Sequence, residues 1–517
     1  AGTASPGDED GAETATACYD GDETSAAGGK VGSGWIEVRR PPTSSPRRGS
    51  SAGDSPDGDS MRRSRIEDSF RRNVLRHFLP EGYPSSVSPS YLPYATHCFL
   101  ASSCGSAAFV LSTQALLLAV GVGSSQAAPA AAALNWVLKD GVGQLGGVLF
   151  ASRLGSGGVG GGRGHGGSTI DSDPKRWRMV AALALDSATF LEILCPLFPG
   201  YFLPIASVAN VGKNVGFLAA GASRAAIHQS FAKSSNLGDI TAKAGSQSIA
   251  ASLAGTGIGL VLSPFVGGDV TKVAAGFAVL SACHQFCNYR ALRAVALDSL
   301  NRHRMNLVLE QFINKSATAG AASNANMAEC DVAVSDLARF VPTPDEVAER
   351  ESFLPFLQPD ESGSWLSVGC GVREFSPRGP DQLRGLVGIC SIGGEEEEIE
   401  GRSWRYVLNC DVNETANAIR LVFLEGADGR DIVRGMLHAH VLRKTAPAEL
   451  EAFLKGSDDN ASKGLEGAES MVLASRMVSS KYTQGLMRGL DKKGWRVTDG
   501  SICIEGGAAG RRLRIKT

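Results

Sequence analysis

No Asp, Glu, Lys or Arg occurs between Gly82 and Leu138, a run of 57 residues. A water-facing surface is not readily built from such a stretch, so most of it has to be buried in protein or in lipid. Within it, Gly105–Gly123 (GSAAFVLSTQALLLAVGVG) has about the length, roughly 20 residues, at which a helix crosses a bilayer core. A large excess of either charge is also absent. The net charge is −2, which argues against bulk attraction to nucleic acid. The 11 cysteines form no CxxC pair and no regular spacing, so they read as free thiols of a reducing compartment and not as a disulfide framework. There is no Walker lysine loop, no His–Glu zinc helix and no serine elbow. The chain therefore reads as non-enzymatic, with no catalytic residue, no cofactor and no metal.

What is plentiful is glycine, 63 residues in all. Some lie in the low-complexity tract Gly155–Gly167. Others sit inside apolar runs, where small residues let helices approach closely, as in membrane bundles. Composition divides the chain into four. Residues 1–60, rich in Gly, Ser, Ala, Asp and Pro, are expected to be disordered. Residues 61–300 form a helical bundle domain, 301–350 a linker with helical pieces, and 351–517 a C-terminal α+β domain. Met61–His77 carries six arginines with Ile66, Phe70, Val74 and Leu75 at helical spacing, which suits either a solvated or a membrane-surface helix. In Phe78–Tyr94, prolines alternate with aromatics and favour an extended, packed loop.

Six apolar segments follow, near 104–122, 130–151, 178–198, 202–222, 243–264 and 270–289. Their connections alternate in charge. Arg153, Arg163, Lys175, Arg176 and Arg178 separate the second from the third, and Arg224, Lys233 and Lys243 the fourth from the fifth. Arg290, Arg293, Arg302 and Arg304 follow the sixth, and arginines also precede the first. The remaining connections, 124–129, 199–200 and 267–269, carry no Lys or Arg. Six spans with both ends on the positive side produce this alternation. The fold class expected is thus mainly α: an Ala/Gly-rich, membrane-embedded six-helix bundle followed by a smaller soluble α+β domain. The competing reading is a soluble bundle of buried helices, favoured by the charged residues inside the second and third segments.

From Trp365 onward, four apolar or β-branched runs read as strands: LSVGCGVREF, RGLVGIC, SWRYVLNCDV and IRLVFLEG. Arg430–Lys444 and Ser470–Lys493 read as amphipathic helices, and WRVTDGSICIEG with RRLRIKT as a closing strand pair. LSVGCG imitates a methyltransferase glycine turn, but the two prolines in REFSPRGPDQ leave no helix to bind a cofactor. The acidic run Glu395–Glu398 reads as a solvated loop.

Polar residues inside the apolar segments are the candidate site. Asn135 and Lys139, and Asp140 and Gln144, stand at i, i+4 spacing in the second segment. Asp186 and Glu192 belong to the third, and Asn210, Lys213 and Asn214 form one face of the fourth. In a membrane bundle they would line a central cavity whose lysines hold an anionic small metabolite such as a phosphate ester. Alternatively, Lys139 or Lys213 pairs with Asp186 or Glu192 only to hold helices together. Cys283, His284 and Cys287 have metal-like spacing, but no second cluster completes a four-ligand site, so a packed helix is expected. His438 and His440, two apart on a helix, point to different faces.

Six long motifs in order carry a resemblance: FLPEGYPSSVSPSYLPY, LSTQALLLAVGVG, NWVLKDGVGQLGGVLFASRLG, SDPKRWRMVAALALD, LFPGYFLPIASVANVGKN and NLGDITAKAGSQSIA. Over about residues 63–300 the chain closely resembles the root UVB sensitive (RUS) family, with the C-terminal domain in the position the family also uses. The Gly-rich insert Ser156–Gly167 and the opening HCFLASSCG depart from that pattern. The resemblance implies a role in UV-B response and vitamin B6 homeostasis, and a plastid location for some members, but no reaction. The partners expected are another family member or a second copy of the chain, together with membrane lipid and a small-molecule metabolite, and no nucleic acid. A looser likeness joins the six segments to the half-repeat of major facilitator transporters, although Ser152 stands where that family's loop motif has Asp.

Overall fold

The computed structural model describes residues 76–121, 129–155, 169–321, 334–354, 365–376, 380–391, 405–410, 419–456, 467–497 and 502–503. The expected disorder of 1–60, nearly all of the arginine-rich helix Met61–His77, the whole Gly-rich insert, the acidic run and the strand RRLRIKT lie outside them.

Six long helices make the bundle: α1 Tyr91–Ala119, α2 Pro129–Gly155, α3 Pro174–Leu194, α4 Phe202–Phe231, α5 Leu237–Val266 and α6 Val270–Arg293. Each starts where the chain supplies a start signal or a short apolar turn. The Asp173 carboxylate accepts from the Arg176 N–H at 3.3 Å with Pro174 in the first turn, and Asp269 accepts from the Thr271 N–H at 2.9 Å. Five of the six are long and apolar enough to cross a membrane; α2, which carries Lys139 and Asp140, falls short.

The six fall into two triples, α1–α2–α3 and α4–α5–α6. In the first, α1 packs against α5 and α6; in the second, α4 packs against α2 and α3; the third helices, α3 and α6, meet each other. Corresponding helices run in opposite directions. The start of α1 meets the end of α4, where the Tyr91 and Phe231 rings lie 5.7 Å apart. The far end gathers Leu116, Cys195, Phe202 and Trp136. Because each triple has an odd number of helices, the second is inverted relative to the first.

Glycines set the closest approaches in both triples. A side chain at Gly255 of α5 would collide with the Ser103 carbonyl of α1, and a Cβ at Gly259 would sit 2.6 Å from Val110 Cβ. On α2, Gly143 faces Asn210 of α4 in the same way, and a Cβ at Gly147 would lie 3.2 Å from Asn214 Cβ. Both pairs are four residues apart, the small-xxx-small spacing that seats one helix on another. Gly255→Val is therefore expected to cost about 1–3 kcal/mol or more by overpacking. Gly257→Val, whose Cβ meets open space, should stay within about 0.5 kcal/mol. Thermal melts of the two purified variants make the comparison.

Among the described residues, Lys175, Arg176, Arg178, Arg224, Lys233, Lys243, Arg290 and Arg293 stand near one end of the bundle. That end is capped by Val87, Tyr91, Tyr94, Phe231, Ile240, Leu292, Val295 and Phe353, which pack as one cluster. Beyond it lies the α+β part. A three-stranded sheet has the order β2–β4–β3, from Leu366–Val368, Ile419–Phe423 and Tyr406–Cys410, with β2 parallel and β3 antiparallel to β4. Leu300–Asn301 (β1) pairs in parallel with Ile502–Cys503 (β5).

The sheet packs against α9 (Gly429–Lys444) and α11 (Ala468–Lys492), close to the two amphipathic helices expected. Helix α7 (Arg302–Ala321), in the stretch expected as a linker, contributes Met305, Val308, Leu309 and Phe312 to the same core. Helix α10, Pro447–Gly456, covers α11. RGLVGIC is a correction: it lies in a helix, α8 (Pro380–Ser391), not a strand. Leu383, Leu386, Val387 and Ile389 fall on one helical face against the core, a 3.6-residue period that a seven-residue window hides. Within WRVTDGSICIEG, Ile502–Cys503 is the strand that pairs with β1, while its expected partner RRLRIKT lies outside the described residues.

Candidate functional site

The polar residues of the apolar segments gather into three hydrogen-bonded clusters. In the first, Lys139 Nζ lies 2.6 Å from Asp140 Oδ1, and Asn210 Nδ2 donates to Asp140 Oδ1 and to the Lys139 carbonyl, both at 3.2 Å. Asn214 Nδ2 donates to the Asn210 carbonyl at 2.9 Å, and the Lys139 ammonium stands 4.8 Å from the centre of the Trp136 ring. Gly143 allows this contact by leaving room for Asn210. Asn135, one turn earlier and half-buried, joins none of these bonds.

In the second, Glu192 of α3 accepts from Ser112 Oγ of α1 and pairs with Lys213 Nζ of α4, tying three helices at one carboxylate. Lys213 Nζ also lies 4.7 Å from the Phe109 ring centre, a cation–π contact. In the third, Asp186 of α3 is held entirely by α6. His284 Nδ1 lies 2.8 Å from Oδ1, and Ser281 Oγ and Gln285 Nε2 each donate to Oδ2 at 2.6 Å. Asn288 Nδ2 bonds the His284 carbonyl at 2.9 Å.

Of the pairings weighed from the sequence, Lys213–Glu192 forms. Lys139 takes its neighbour Asp140, and Asp186 takes a histidine. The sequence did carry a signal for that histidine: Ser281, His284 and Gln285 stand at i, i+3, i+4 on an otherwise apolar helix. Their carboxylate partner lies 95 or more residues away in sequence. Cys283 and Cys287 take no part, and among the described residues no three metal-binding side chains converge.

A fourth cluster, at the basic end, had no sequence signal. Glu351 is 2% exposed, Lys175 fully buried and Arg304 1% exposed. Lys175 Nζ lies 2.6 Å from Glu351 Oε2, and Arg304 Nε donates to Oε1 at 2.8 Å. Arg293 holds the Glu351 carbonyl at 3.1 Å. Burial alone would raise the Glu351 carboxyl, but the two cations outweigh it and hold it at about 2. This lock joins the start of α3 to α7 and the segment behind it.

In the α+β part, His438 is enclosed by the Tyr406 hydroxyl at 3.3 Å, Ser475 Oγ at 2.9 Å and the Val472 carbonyl at 3.1 Å. His440 faces elsewhere, to Asn306 Oδ1 at 3.1 Å. Burial, with nearby cations, pushes both imidazoles down to about 3, so both are neutral packing groups at pH 7.

A separate feature is an open groove of about 500 Å³ between α1 and α5. It is lined by hydroxyl and amide groups together with apolar side chains, and none of the predicted site residues reaches it.

An inverted pair of three-helix units, largely of membrane-crossing length, with polar groups tied inside, defines a bundle domain in which no catalytic constellation has been assembled among the described residues. Residues 64–316 match the family described as "Vitamin B6 photo-protection and homoeostasis domain". Over residues 64–316 the chain carries the domain of the root UVB sensitive family. It is 38% identical over 242 residues to Protein root UVB sensitive 3 of Arabidopsis thaliana, covering 47% of this chain and 52% of that protein. It is 33% identical over 286 residues to RUS family member 1 of Dictyostelium discoideum, covering 54% and 48%. Against Protein root UVB sensitive 2, chloroplastic, of Arabidopsis thaliana, the identity is 36% over 241 residues, covering 47% and 52%. The matches thus span about half the length of these curated relatives. No solved structure matches the chain.

Proposed function

We propose that the chain is an integral membrane protein that handles a small metabolite, without catalysis, in vitamin B6 homeostasis and the UV-B response. The observation that carries the membrane reading is the outer surface of the bundle. Leu134, Val137, Leu145 and Val148 of α2 are exposed, as are Ile249, Leu253, Leu260 and Phe265 of α5 and Val279 and Phe286 of α6. Apolar flanks this continuous suit lipid far better than water. The basic connections at one end fit the positive-inside pattern, which supports an orientation with both ends of the bundle on the same side of the membrane. One relative's name contains "chloroplastic", which supports a plastid membrane as the location.

Extraction of the expressed chain from membranes tests this reading. Retention in the pellet through alkaline carbonate, with release by detergent, is the expected result. Release by carbonate alone would overturn it.

A second reading has an observation in its favour. The polar groups are largely paired with one another and α2 packs chiefly on α4, so the bundle also suits a scaffold that pairs with another family member or a second copy.

A further inference from the structure

We propose that the groove between α1 and α5 is a binding site for a small, uncharged, hydroxyl-bearing compound. The inference rests on the membrane reading and names the class of metabolite. The groove starts halfway along both helices, where Ser106 Oγ bonds Ser252 Oγ at 3.2 Å. It runs to the end away from the basic loops, where Gln114 Nε2 holds the Gly267 carbonyl at 2.6 Å and Ser263 donates to Gln114 Oε1 at 2.9 Å. Its volume of about 500 Å³ lies within the usual range for small-molecule sites.

Its chemistry is selective. Ser106, Thr113, Gln114, Ser252, Thr256 and Ser263 supply hydroxyls and one amide, and no lining residue is charged. The nearest ammonium, on Lys213, is committed to Glu192 and to the ring of Phe109, and Phe109 forms part of the wall. A phosphate ester would find no charged group in the lining, whereas a neutral ligand with several hydroxyls would find donors and acceptors from both helices beside the ring of Phe109. Thr113, Ser252 and Thr256 are exposed in the groove. Thr113 Oγ1 donates to the Phe109 carbonyl at 2.8 Å and Ser252 Oγ accepts from Ser106 Oγ at 3.2 Å, so a ligand would meet the acceptor oxygen of Thr113 and the proton of Ser252.

The position is also the one expected of an inverted repeat, where ligands bind near mid-depth beside the contact between the two units. At its counterpart, the α2–α4 contact, Asn210, Asp140 and Lys139 bond one another across the two helices. The same chemistry is presented by a free metabolite and by a neutral sugar headgroup of a lipid.

The experiment uses the full chain purified in detergent and equilibrium binding of three probes: pyridoxine, which is hydroxymethylated and net neutral, its 5′-phosphate, and a digalactosyl lipid. Saturable pyridoxine binding, weakened about 10-fold in the Thr113→Val/Thr256→Val variant, is expected; about two lost hydrogen bonds correspond to that change. Saturable galactolipid binding with the same loss would support the site and assign its ligand to lipid. Tighter binding of the phosphate than of pyridoxine would overturn the proposal, as would the absence of binding by all three. An unchanged melting temperature shows that the variant folds. A protein that stays in the carbonate pellet yet binds nothing refutes the groove without touching the membrane reading.

Discussion

Replacing Glu351 with alanine lowers the stability of the detergent-solubilised chain by about 3–5 kcal/mol, the usual cost of breaking a buried ion pair. The loss is large because one carboxylate serves both Lys175 and Arg304, and neither cation has water to turn to. Denaturant unfolding measures it. Glu351→Gln, which keeps the shape and one acceptor oxygen, should lose less. The pH dependence has a definite sign. The carboxyl is held at about 2 in the folded chain against an ordinary 4.5, so its stabilisation is complete above about pH 4.5 and is lost as pH falls through about 2. Unfolding measured between pH 5 and 2 should show this decline in the unmodified chain and not in Glu351→Gln.

Glu192→Ala is the second large effect, about 3 kcal/mol, since it leaves Lys213 without its partner in an apolar surround and removes the acceptor of Ser112. Lys213→Met in the same chain should restore most of the loss, because removing both partners leaves no buried charge behind. The double-mutant cycle separates two roles. If the pair only clamps α3 to α4, the double variant melts near the parent and binds neutral ligands as before. If Lys213 instead holds an anionic ligand, stability recovers but binding of a phosphate ester disappears.

The six helices were legible because apolar length and charge alternation are local properties. Their extents were less so: α1 begins at Tyr91, well before the segment expected from 104, because the proline-aromatic stretch contains Pro93 only in the first helical turn, where proline is tolerated. The polar set was legible as residues out of place in apolar runs, but not its partners. Lys175, Arg304 and Glu351 looked like ordinary charges near segment ends. They became a buried lock only once α3, α7 and the segment after it were seen to converge. The groove was invisible for the opposite reason. Serine and threonine are common in helices, and Thr113 and Thr256 gain meaning only when α1 is known to face α5.

The pairing of α1 with α5 and α6 also sets a schedule for synthesis. At about 5–20 residues per second, α1 is complete on the order of 10 s before α5 and α6 have both emerged. During that interval the surface that carries Ser103 and Ser106 still lacks α5, although Ser112 meets Glu192 once α3 has emerged, whereas α4 finds α2 and α3 already made. The second triple therefore assembles as it is translated, and the first helix waits for the last. Chains interrupted between α4 and α5 should leave α1 exposed to quality-control proteases.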